Sequence, residues 1–383
     1  MRLAVVTNIL APYRIPLFEA MRRRVEDLTV LLMAEREENR QWNLRPHDFK
    51  TQVLRGIHVR PPGYEISLHF NYGVARTLHG LDPDVVMSGG FAPANLAALR
   101  YCKRFRKPYI GFGELVLRDP FHRSPIRRAL RRWVTRASAG AIASSSEARA
   151  AFLAYGAKPD RILVVPMPID VEHFHAGSER FRGSRDWAAA RRRYPGPILL
   201  TVTRLIRMKG LDELLSIYER IIAVRPDVTL LIAGDGPERG RYEEWVRRRG
   251  WRRVEFLGYI DTSVLPQTLA LADLFVFPTL YDQFGAVIAE AMAAGVPVAA
   301  SIHAAATHDL VEDGVTGFRI EPRAVEASAA TILRMLDLNS DGRAALRARA
   351  LARVRESAVE PSAERMTRFL RLIAESPAGA VLG

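Results

Sequence analysis

Short apolar runs alternate with amphipathic segments along most of the chain. The runs RLAVVT (2–7), DLTVLLM (27–33) and PYIGFG (108–113) have the length and composition of buried strands. The segments 14–24 and 125–137 instead carry apolar residues at helical spacing. Strands that alternate with helices in this way predict an α/β fold with a doubly wound parallel sheet.

The alternation stops once and then starts again. Residues 168–197 have prolines near both ends, many arginines and no clear period, which indicates a linker. The run PILLTVT restarts the strand–helix pattern, which continues into an Ala/Arg/Leu-rich helical stretch, 324–375. We therefore expect one domain over 1–167 and a second over 198–360. Residues 35–65 are polar and poorly periodic, which predicts a loop-rich insertion.

Length and composition narrow the class of protein. The 383 residues are enough for two domains, and 48% hydrophobic residues suit soluble cores rather than a membrane-embedded protein. The sequence lacks the run of about 18 apolar residues that a transmembrane helix needs. Asn8, Pro12 and Arg14 interrupt the first apolar run, which is therefore not a secretion signal. The single cysteine, Cys102, excludes an internal disulfide and a cysteine-based zinc site, and it fits a reducing cytoplasm.

The positive charge is concentrated in the first half of the chain. The formal net charge is +14; residues 1–190 have 30 Lys and Arg against 18 Asp and Glu (+12), and the remainder has 26 against 24 (+2). A basic half suits nucleic acid, anionic lipid or a phosphorylated substrate. Because the sequence shows neither aromatic–basic interleaving nor a recognisable nucleic-acid motif, we expect no nucleic-acid partner.

The strongest basic signal is the segment RSPIRRALRRWVTR (123–136). On a helix its arginines fall on one arc and its apolar side chains on the other. The arginines are Arg127, Arg128, Arg131, Arg132 and Arg136. Such a helix can lie on an anionic membrane surface. Alternatively, it is an ordinary half-buried helix, and Trp133 then belongs to the core.

The stretch YDQFGAVIAEAMAAGVPVAA (281–300) is the most informative one. It follows the apolar run Leu274–Phe277 and carries Asp282 in a loop. A helix is expected to begin near Phe284–Gly285, with Glu290 off its apolar stripe. A helix N-terminus holds phosphate, and carboxylates accept hydrogen bonds from sugar hydroxyls. The alternative is a buried amphipathic helix with one solvated glutamate.

Three other loops follow predicted strands, and strand ends are where open α/β sheets bind ligands. Thr203-Arg204 and then Lys209 follow the first strand of the second domain. Arg204 and Lys209 could bind a diphosphate; alternatively, they belong to a solvated basic loop. A GDGP turn begins at Gly234. A purely structural role, as a tight turn followed by a helix start, is sufficient to explain it. Gly258 and Tyr259 follow the next strand.

These motifs resemble the family 4 glycosyltransferases, which have the GT-B fold. The 281–300 stretch is similar to the family's E-x7-E segment, RLIRMKG to its R-x4-K segment, and the GDGP turn also matches. Asp282 stands where the family usually has Glu, and Thr203 where it usually has Gly; the shorter carboxylate changes the reach to a sugar, and the threonine narrows the backbone's approach to phosphate. The resemblance implies two Rossmann-like domains with parallel sheets facing a central cleft, and a final helix (361–383) that crosses back onto the first domain.

The resemblance also implies roles for individual residues. Arg204, Lys209 and the amides at Gly285–Ala286 would hold the diphosphate leaving group. Glu290 would take a ribose hydroxyl, and Asp282 the donor sugar. The further donor contacts it implies are Thr203, Gly234, Gly258, Tyr259, Phe284 and Val287. No metal or other cofactor is expected, because the Arg/Lys pair does the work of a cation.

The first domain resembles the family more loosely. Its first loop, NILAPYR, is similar to a variant with an APYR segment, and its position suggests the acceptor side for Asn8 and Arg14. Arg14 is either an acceptor-phosphate ligand or a solvated helix residue. Glu114 stands where many relatives have histidine; it either contacts sugar or acceptor, acts as a weak base, or is only a charge on the next loop.

We therefore expect a retaining hexosyltransferase in the cytoplasm, peripheral on the inner face of the membrane. It would move a sugar from a UDP- or GDP-sugar to a glycan, a lipid-linked or a lipopolysaccharide/exopolysaccharide-type acceptor. The alternatives are a nucleotide-sugar epimerase on the same fold, a non-enzymatic protein that binds nucleic acid or an anionic surface, and a catalytically dead sugar-binding homologue.

Overall fold

The structure is a computed structural model that describes residues 1–37, 44–60, 67–118 and 124–375. The chain divides into two compact units. The first comprises Met1–Pro168 and Val359–Gly383, and the second Ile169–Ala358. The first break lies next to the boundary expected after residue 167.

The first unit contains one parallel sheet and a separate hairpin. Its strands are β1 (Arg2–Thr7), β2 (Asp27–Leu32), β3 (Lys50–Val53), β4 (Gly56–Val59), β5 (Leu68–Asn71), β6 (Val85–Gly89), β7 (Tyr109–Gly113), β8 (Gly140–Ala143) and β9 (Ile162–Val164). Within the described residues the sheet has the order β3-β2-β1-β6-β7-β8-β9, and β4 and β5 form an antiparallel pair outside it. Neighbouring strands of the large sheet are parallel.

Helices cover both faces of this sheet. They are α1 (Ile15–Arg22), α2 (Val74–Leu81), α3 (Pro93–Phe105), α4 (Pro125–Ala137) and α5 (Ser146–Ala154). Phe18 of α1 belongs to the apolar core that includes Leu3 and Val5, whereas Leu99 of α3 belongs to the core that includes Ala4 and Val6. Alternate residues of β1 therefore face opposite layers, which explains why its central residues, 3–6, are all apolar.

The prediction of a loop-rich insertion over 35–65 is wrong in part. β3 and β4 lie within it, and residues 38–43 and 61–65 are outside the described residues. β3 is an edge strand with all four residues exposed. Because a strand exposed in this way has no apolar run, the pattern of the sequence does not reveal it.

The second unit contains the other parallel sheet. Its strands are β10 (Ile198–Val202), β11 (Thr229–Ala233), β12 (Val254–Gly258), β13 (Leu274–Phe277), β14 (Val298–Ser301) and β15 (Phe318–Ile320). Its helices are α6 (Val171–Arg182), α7 (Arg185–Arg193), α8 (Leu211–Val224), α9 (Arg239–Arg249), α10 (Leu265–Ala270), α11 (Ala286–Ala293), α12 (Ala305–Leu310), α13 (Val325–Leu336) and α14 (Ser340–Arg355). Over the described ranges the strand order is β12-β11-β10-β13-β14-β15, with neighbours parallel.

The segment 168–197, expected as a linker, consists mainly of α6 and α7 and belongs to the second unit. Val171, Phe174 and Ser178 form the buried face of α6 at helical spacing. Ser178 donates a hydrogen bond of 2.8 Å to the carbonyl of Pro266. The prolines lie outside both helices, so they delimit this helical pair rather than interrupt it.

The last helix, α15 (Val359–Glu375), returns to the first unit. Its buried residues include Met366, Phe369 and Leu370, which join the core around Phe18 of α1. Residues 376–383 of the expected C-terminal segment are outside the described residues. In the part of the chain that is described, no helix has the length and hydropathy needed to cross a bilayer.

Candidate active site

In the sheet of the second unit, the direction in which successive strands are added reverses between the neighbouring strands β10 and β13. From β10 the chain proceeds outward through β11 to β12, and from β13 it proceeds the other way through β14 to β15. The loops after β10 and β13 therefore diverge, which leaves a crevice at the carboxyl ends of these neighbouring strands. The R-x4-K segment follows β10, and the segment with Asp282 follows β13. The topology thus brings together motifs that are about 80 residues apart in sequence.

The loop after β10 is fixed to both neighbouring loops. The amide of Leu205 donates to the carbonyl of Asp235 at 2.9 Å, and the amide of Leu280 donates to the carbonyl of Met208 at 2.9 Å. Gly210 has a φ of 72°, and a Cβ at this position would lie 1.9 Å from the carbonyl oxygen of Pro278. Glycine is therefore required where the loop enters α8.

Lys209 and Asp282 form an ion pair at the crevice. The Lys209 Nζ lies 2.6 Å from the Asp282 Oδ2, and both side chains are largely buried. The other carboxylate oxygen, Oδ1, accepts a hydrogen bond of 3.1 Å from the amide of Phe284. One carboxylate therefore fixes the lysine and also shapes the turn that leads into α11.

The N-terminus of α11 opens into the same region. Gly285 is its N-cap residue, with a φ of 92°, and as a glycine it has no side chain with which to cap the helix. The first amides of a helix have no intrahelical acceptor and carry partial positive charge, so they can bind a phosphate oxygen. Ala286 and Val287 are the half-buried first residues of the helix, whereas the side chain of Phe284 is buried. Phe284 can thus reach a ligand through its backbone and not through its ring.

Glu290 lies one turn into α11 and is not a solvated glutamate. Its side chain is half-buried, and desolvation raises the pKa of its carboxyl to about 7. The carboxyl is thus held between its neutral and charged forms near neutral pH. A carboxyl in this state is typical of a ligand site.

The GDGP turn has a structural reason for its first glycine. Gly234 has a φ of 131°, and a Cβ there would lie 1.8 Å from the carbonyl oxygen of Thr203. The amide of Gly234 donates to the carbonyl of Gly258 at 2.7 Å. Thr203, Gly234 and Gly258 are therefore adjacent strand-end positions, and Tyr259 beside them is exposed. Contact of these four residues with a nucleotide stays a prediction.

The loop after β14 is part of this site, although none of the sequence motifs includes it. The amide of Asp282 donates to the carbonyl of His303 at 3.1 Å, and the amide of Ala306 donates to the carbonyl of Phe284 at 2.8 Å. Ala304 packs against Gly285. This loop follows a strand beside β13, so the rule that ligands bind at strand ends would have identified it.

In the first unit, two separately predicted residues form a pair. The Arg14 Nη2 donates to the Glu114 Oε1 at 3.3 Å, and the Arg14 Nη1 donates to the Thr7 hydroxyl at 3.0 Å. The Arg14 guanidinium also lies over the ring of Phe112, 5.2 Å from its centroid. Burial alone would lower the pKa of Arg14, but the neighbouring Tyr13 and Glu114 raise it. Arg14 is thus a half-buried, permanently charged partner of Glu114 and not a solvated helix residue.

Asn8 belongs to a polar chain that the sequence did not reveal. Its amide donates to the Glu37 carboxylate at 3.2 Å, and the same Glu37 oxygen lies 3.1 Å from the His69 Nε2. The His69 Nδ1 lies 3.0 Å from the His58 Nδ1. Burial is the main cause that lowers the pKa of His58, and the neighbouring His69 lowers it further. This series of polar contacts connects the loop after β1 to the hairpin β4–β5.

The arginine-rich segment forms α4 as predicted, but Trp133 does not belong to the core. Val134 is buried, whereas Ile126 is 81% exposed and Trp133 is 42% exposed. The Lys103 ammonium lies over the Trp133 ring at 5.4 Å from its centroid. Among the described residues, no acidic side chain pairs with Arg128, Arg132 or Arg136. The helix therefore presents positive charge and two large apolar side chains together.

Comparison with known families decides the class. Residues 17–173 match the model described as Glycosyltransferase Family 4, and residues 188–353 match the model described as Glycosyl transferases group 1. The chain belongs to the family 4 glycosyltransferases. In the described ranges, no group of three His, Cys, Asp or Glu side chains could hold a metal ion.

Its relatives include enzymes with different substrates. The chain is 31% identical over 222 residues to a GDP-mannose-dependent monoacylated alpha-(1-6)-phosphatidylinositol monomannoside mannosyltransferase of Corynebacterium glutamicum, covering 54% of this chain and 55% of that protein. It is 32% identical over 142 residues to an alpha-D-kanosaminyltransferase of Streptomyces kanamyceticus, covering 37% and 36%. The chain thus spans about a fifth to a half of the length of the curated relatives it matches.

Solved structures identify the fold. The Anabaena protein HepE, determined in complex with UDP and glucose, superposes with a TM-score of 0.73 at 21% identity, covering 97% of this chain and 99% of that one. A sucrose-phosphate synthase of Thermosynechococcus elongatus superposes with a TM-score of 0.75 at 20% identity, covering 97% and 98%. The predicted GT-B class, with two parallel-sheet Rossmann-like domains, is therefore confirmed.

Proposed function

We propose that this chain transfers a sugar from a nucleoside diphosphate sugar to a hydroxyl acceptor. The observation that carries the proposal is the convergence of Lys209, Asp282 and the N-terminus of α11 at the switch point of the second unit. Two cations, Arg204 and Lys209, with helix amides suit a diphosphate. The UDP complexes of HepE and the GDP-mannose dependence of the mannosyltransferase support a donor of this class.

Different residues of the second unit would bind different parts of the donor. Arg204, Lys209 and the amides at Gly285–Ala286 bind the diphosphate and stabilise the charge that develops as the sugar leaves. Glu290 accepts a hydrogen bond from a ribose hydroxyl, and Asp282 accepts one from the donor sugar. The bond from the anomeric carbon to the phosphate oxygen breaks, and a bond to the acceptor oxygen forms.

We further propose that the anomeric configuration is retained. In front-face attack, the leaving phosphate takes the proton of the acceptor hydroxyl, so no metal ion or cofactor is needed. Glu114, held by Arg14, would orient the acceptor in the first unit. A glycan or lipid-linked acceptor suits the basic first half of the chain, and α4 would then place the enzyme on the cytoplasmic membrane face.

The test is a thermal-shift panel of UDP-, GDP-, ADP- and TDP-sugars. Wild type is compared with Glu290→Ala and with a control, Glu326→Ala, which removes an exposed carboxylate of α13. We expect one nucleotide to raise the melting temperature of wild type and of the control but not of Glu290→Ala, because a bound ligand stabilises the folded state. The same nucleotide sugar should also be hydrolysed slowly by wild type, with release of the nucleoside diphosphate. If no nucleotide raises the melting temperature, the donor-site assignment is wrong.

An epimerase on the same fold is the main alternative. It would convert one nucleotide sugar into another without an acceptor, and NMR of the donor alone would show the new sugar. Transfer instead requires an acceptor and leaves a free nucleoside diphosphate.

A further inference from the structure

The hairpin β4–β5 presents an apolar face to solvent. Its register pairs Ile57 with Phe70 and Val59 with Leu68. Side chains of directly opposed residues, and of residues two apart, lie on the same face of a strand pair. On this face Ile57 is 65% exposed and Phe70 is 50% exposed, and the other two side chains are also exposed.

The opposite face of the hairpin is polar, and on it His69 is buried, Asn71 is half-buried and His58 is exposed. His69 is buried between His58 and Glu37, and the Asn71 amide donates to the carbonyl of Met33 at 2.7 Å. A half-buried sheet in water normally has its apolar side inward and its polar side outward. Here the arrangement is reversed, and the buried contacts of His69 and Asn71 fix the register that keeps it so.

The surroundings of the hairpin are basic. Residues 49–81 contain four cationic side chains (Lys50, Arg55, Arg60 and Arg76) and one acidic residue, Glu65. Leu54, which precedes the hairpin, shares an apolar core with Val134 of α4. The segment that leads into the hairpin therefore packs on the same apolar core as α4, and α4 carries Arg128, Arg132 and Arg136 beside exposed Ile126 and Trp133.

We propose that the outer face of the hairpin, formed by Ile57, Val59, Leu68 and Phe70, inserts into the acyl boundary of an anionic membrane while the arginines of α4 contact the lipid headgroups. Apolar side chains combined with a surplus of cations are what an anionic bilayer surface binds. A second copy of the chain is a less suitable occupant, because it would bring the same positive charge to the interface. This inference rests on the membrane placement of α4 proposed above and adds the hairpin to it, and it does not depend on the nature of the sugar donor.

The first test measures vesicle binding of the full-length protein by flotation. The vesicles contain phosphatidylcholine alone or an equal mixture of phosphatidylcholine and phosphatidylglycerol. Ile57→Ser/Phe70→Ser is compared with Val224→Ser/Leu372→Ser, which removes two exposed aliphatic side chains from α8 and α15. We expect the hairpin variant to bind the mixed vesicles at least about tenfold more weakly, since it loses the burial of two large side chains, and the control to bind like wild type.

The salt dependence of vesicle binding distinguishes the contribution of the α4 arginines from that of the hairpin. In Arg132→Gln/Arg136→Gln the loss of binding should shrink as salt is added, because exposed charges are screened. The loss in the hairpin variant should persist at high salt, because apolar burial is not screened.

The second test reports insertion directly. Cys102 is buried, and burial raises the pKa of its thiol to about 12, so a cysteine introduced by Phe70→Cys can be labelled selectively with an environment-sensitive fluorophore. We expect its emission to shift to shorter wavelength on mixed vesicles and to stay unchanged on phosphatidylcholine alone. The same label on Val224→Cys should stay unchanged on both.

Two results would overturn the proposal. One is equal vesicle binding by the wild type and the hairpin variant, with no shift of the Phe70→Cys label. The other is a concentration-dependent dimer, seen by light scattering, that the hairpin variant abolishes, which would assign the face to a second copy. Nucleotide thermal shifts on the same samples keep the two proposals distinct, since a nucleotide response without vesicle binding rejects only the membrane surface.

Discussion

The ammonium of Lys209 lies 2.6 Å from the carboxylate of Asp282, although 73 residues separate them in sequence. The pair joins the cation expected to bind the diphosphate to the carboxylate expected to bind the sugar. In the structure each group neutralises the other. On the proposed assignment, a bound diphosphate would compete with Asp282 for the lysine, and the pair would then set how tightly a donor is held.

Neutralising Asp282 should separate affinity from transfer. In Asp282→Asn the amide oxygen can still accept from Phe284, but Lys209 loses its negative partner. We expect the affinity for a free nucleoside diphosphate to rise about threefold to tenfold, the size of a partly screened ion pair, while sugar transfer falls. Calorimetric titration and product release measure the two quantities.

Lys209→Met is the matched variant for this prediction. It should weaken diphosphate binding about tenfold or more, because a charge-assisted contact is lost. Asp282→Asn should then bring no gain in the Lys209→Met background. A gain of the same size in both backgrounds would show that Asp282 does not act through the lysine.

Glu290 should make stability depend on pH. Its pKa is raised by desolvation from 4.5 to about 7, so the folded chain keeps a proton that the unfolded chain has lost. Stability should therefore fall as pH rises from about 4.5 through about 7. Compared with Glu290→Gln, which mimics the protonated form, wild type should lose melting temperature between pH 5 and pH 8. Parallel melting curves for the two proteins across this range would contradict the raised pKa.

The same titration should appear in ligand binding. If the Glu290 carboxylate accepts a ribose hydroxyl, the affinity for the preferred nucleotide should increase as pH rises through about 7. Glu290→Gln should lack this component and retain the part that arises from titration of the phosphate itself. Calorimetric titration at several pH values for both proteins measures the difference.

The positions of most candidate-site residues in the fold followed from the sequence, because strand ends and helix starts leave local signals. The runs Ile198–Val202 and Leu274–Phe277 are fully apolar or nearly so, and the motif residues come directly after them. Their spatial meeting also followed, since parallel strands end at the same edge of a sheet. The partners of the motif residues did not follow. The contact between Arg14 and Glu114 spans 100 residues, and no local pattern encodes it.

The elements that the sequence missed have weak periodicity for physical reasons. β3 is fully exposed and has no apolar run, and β4 has only four residues with its apolar side chains turned outward, so neither resembles a buried strand in the sequence. α6 buries a narrow face with a serine in it, and its many charged residues resemble those of a linker. In each case tertiary contacts, such as the hydrogen bond from Ser178 to Pro266, stabilise a segment that its own pattern does not predict.

Gly234 should be intolerant of any side chain. A Cβ at a φ of 131° would lie 1.8 Å from the carbonyl of Thr203, so both the backbone and the contact would be strained. We expect Gly234→Ala to destabilise the fold by about 2–4 kcal/mol. Gly240→Ala is the control, because nothing lies within 4 Å of its Cβ and it lies in α9. That change should be neutral or stabilise by up to about 1 kcal/mol, and equal effects in urea unfolding would show that the loop can move apart.

Arg14 and Glu114 should be strongly coupled. Their side chains are 16% and 22% exposed, so removing one partner leaves the other charge poorly solvated. We expect Arg14→Met and Glu114→Gln each to lower stability, and the double variant to lose less than the sum of the two, with a coupling free energy of about 1–3 kcal/mol. Urea unfolding of the four proteins measures it. Arg22→Met with Glu114→Gln is the control pair, because Arg22 donates instead to the carbonyl of Val25, and its effects should add. Additive losses for Arg14 and Glu114 would mean that each is held by its other neighbours, and Glu114 would then be available to an acceptor without the arginine.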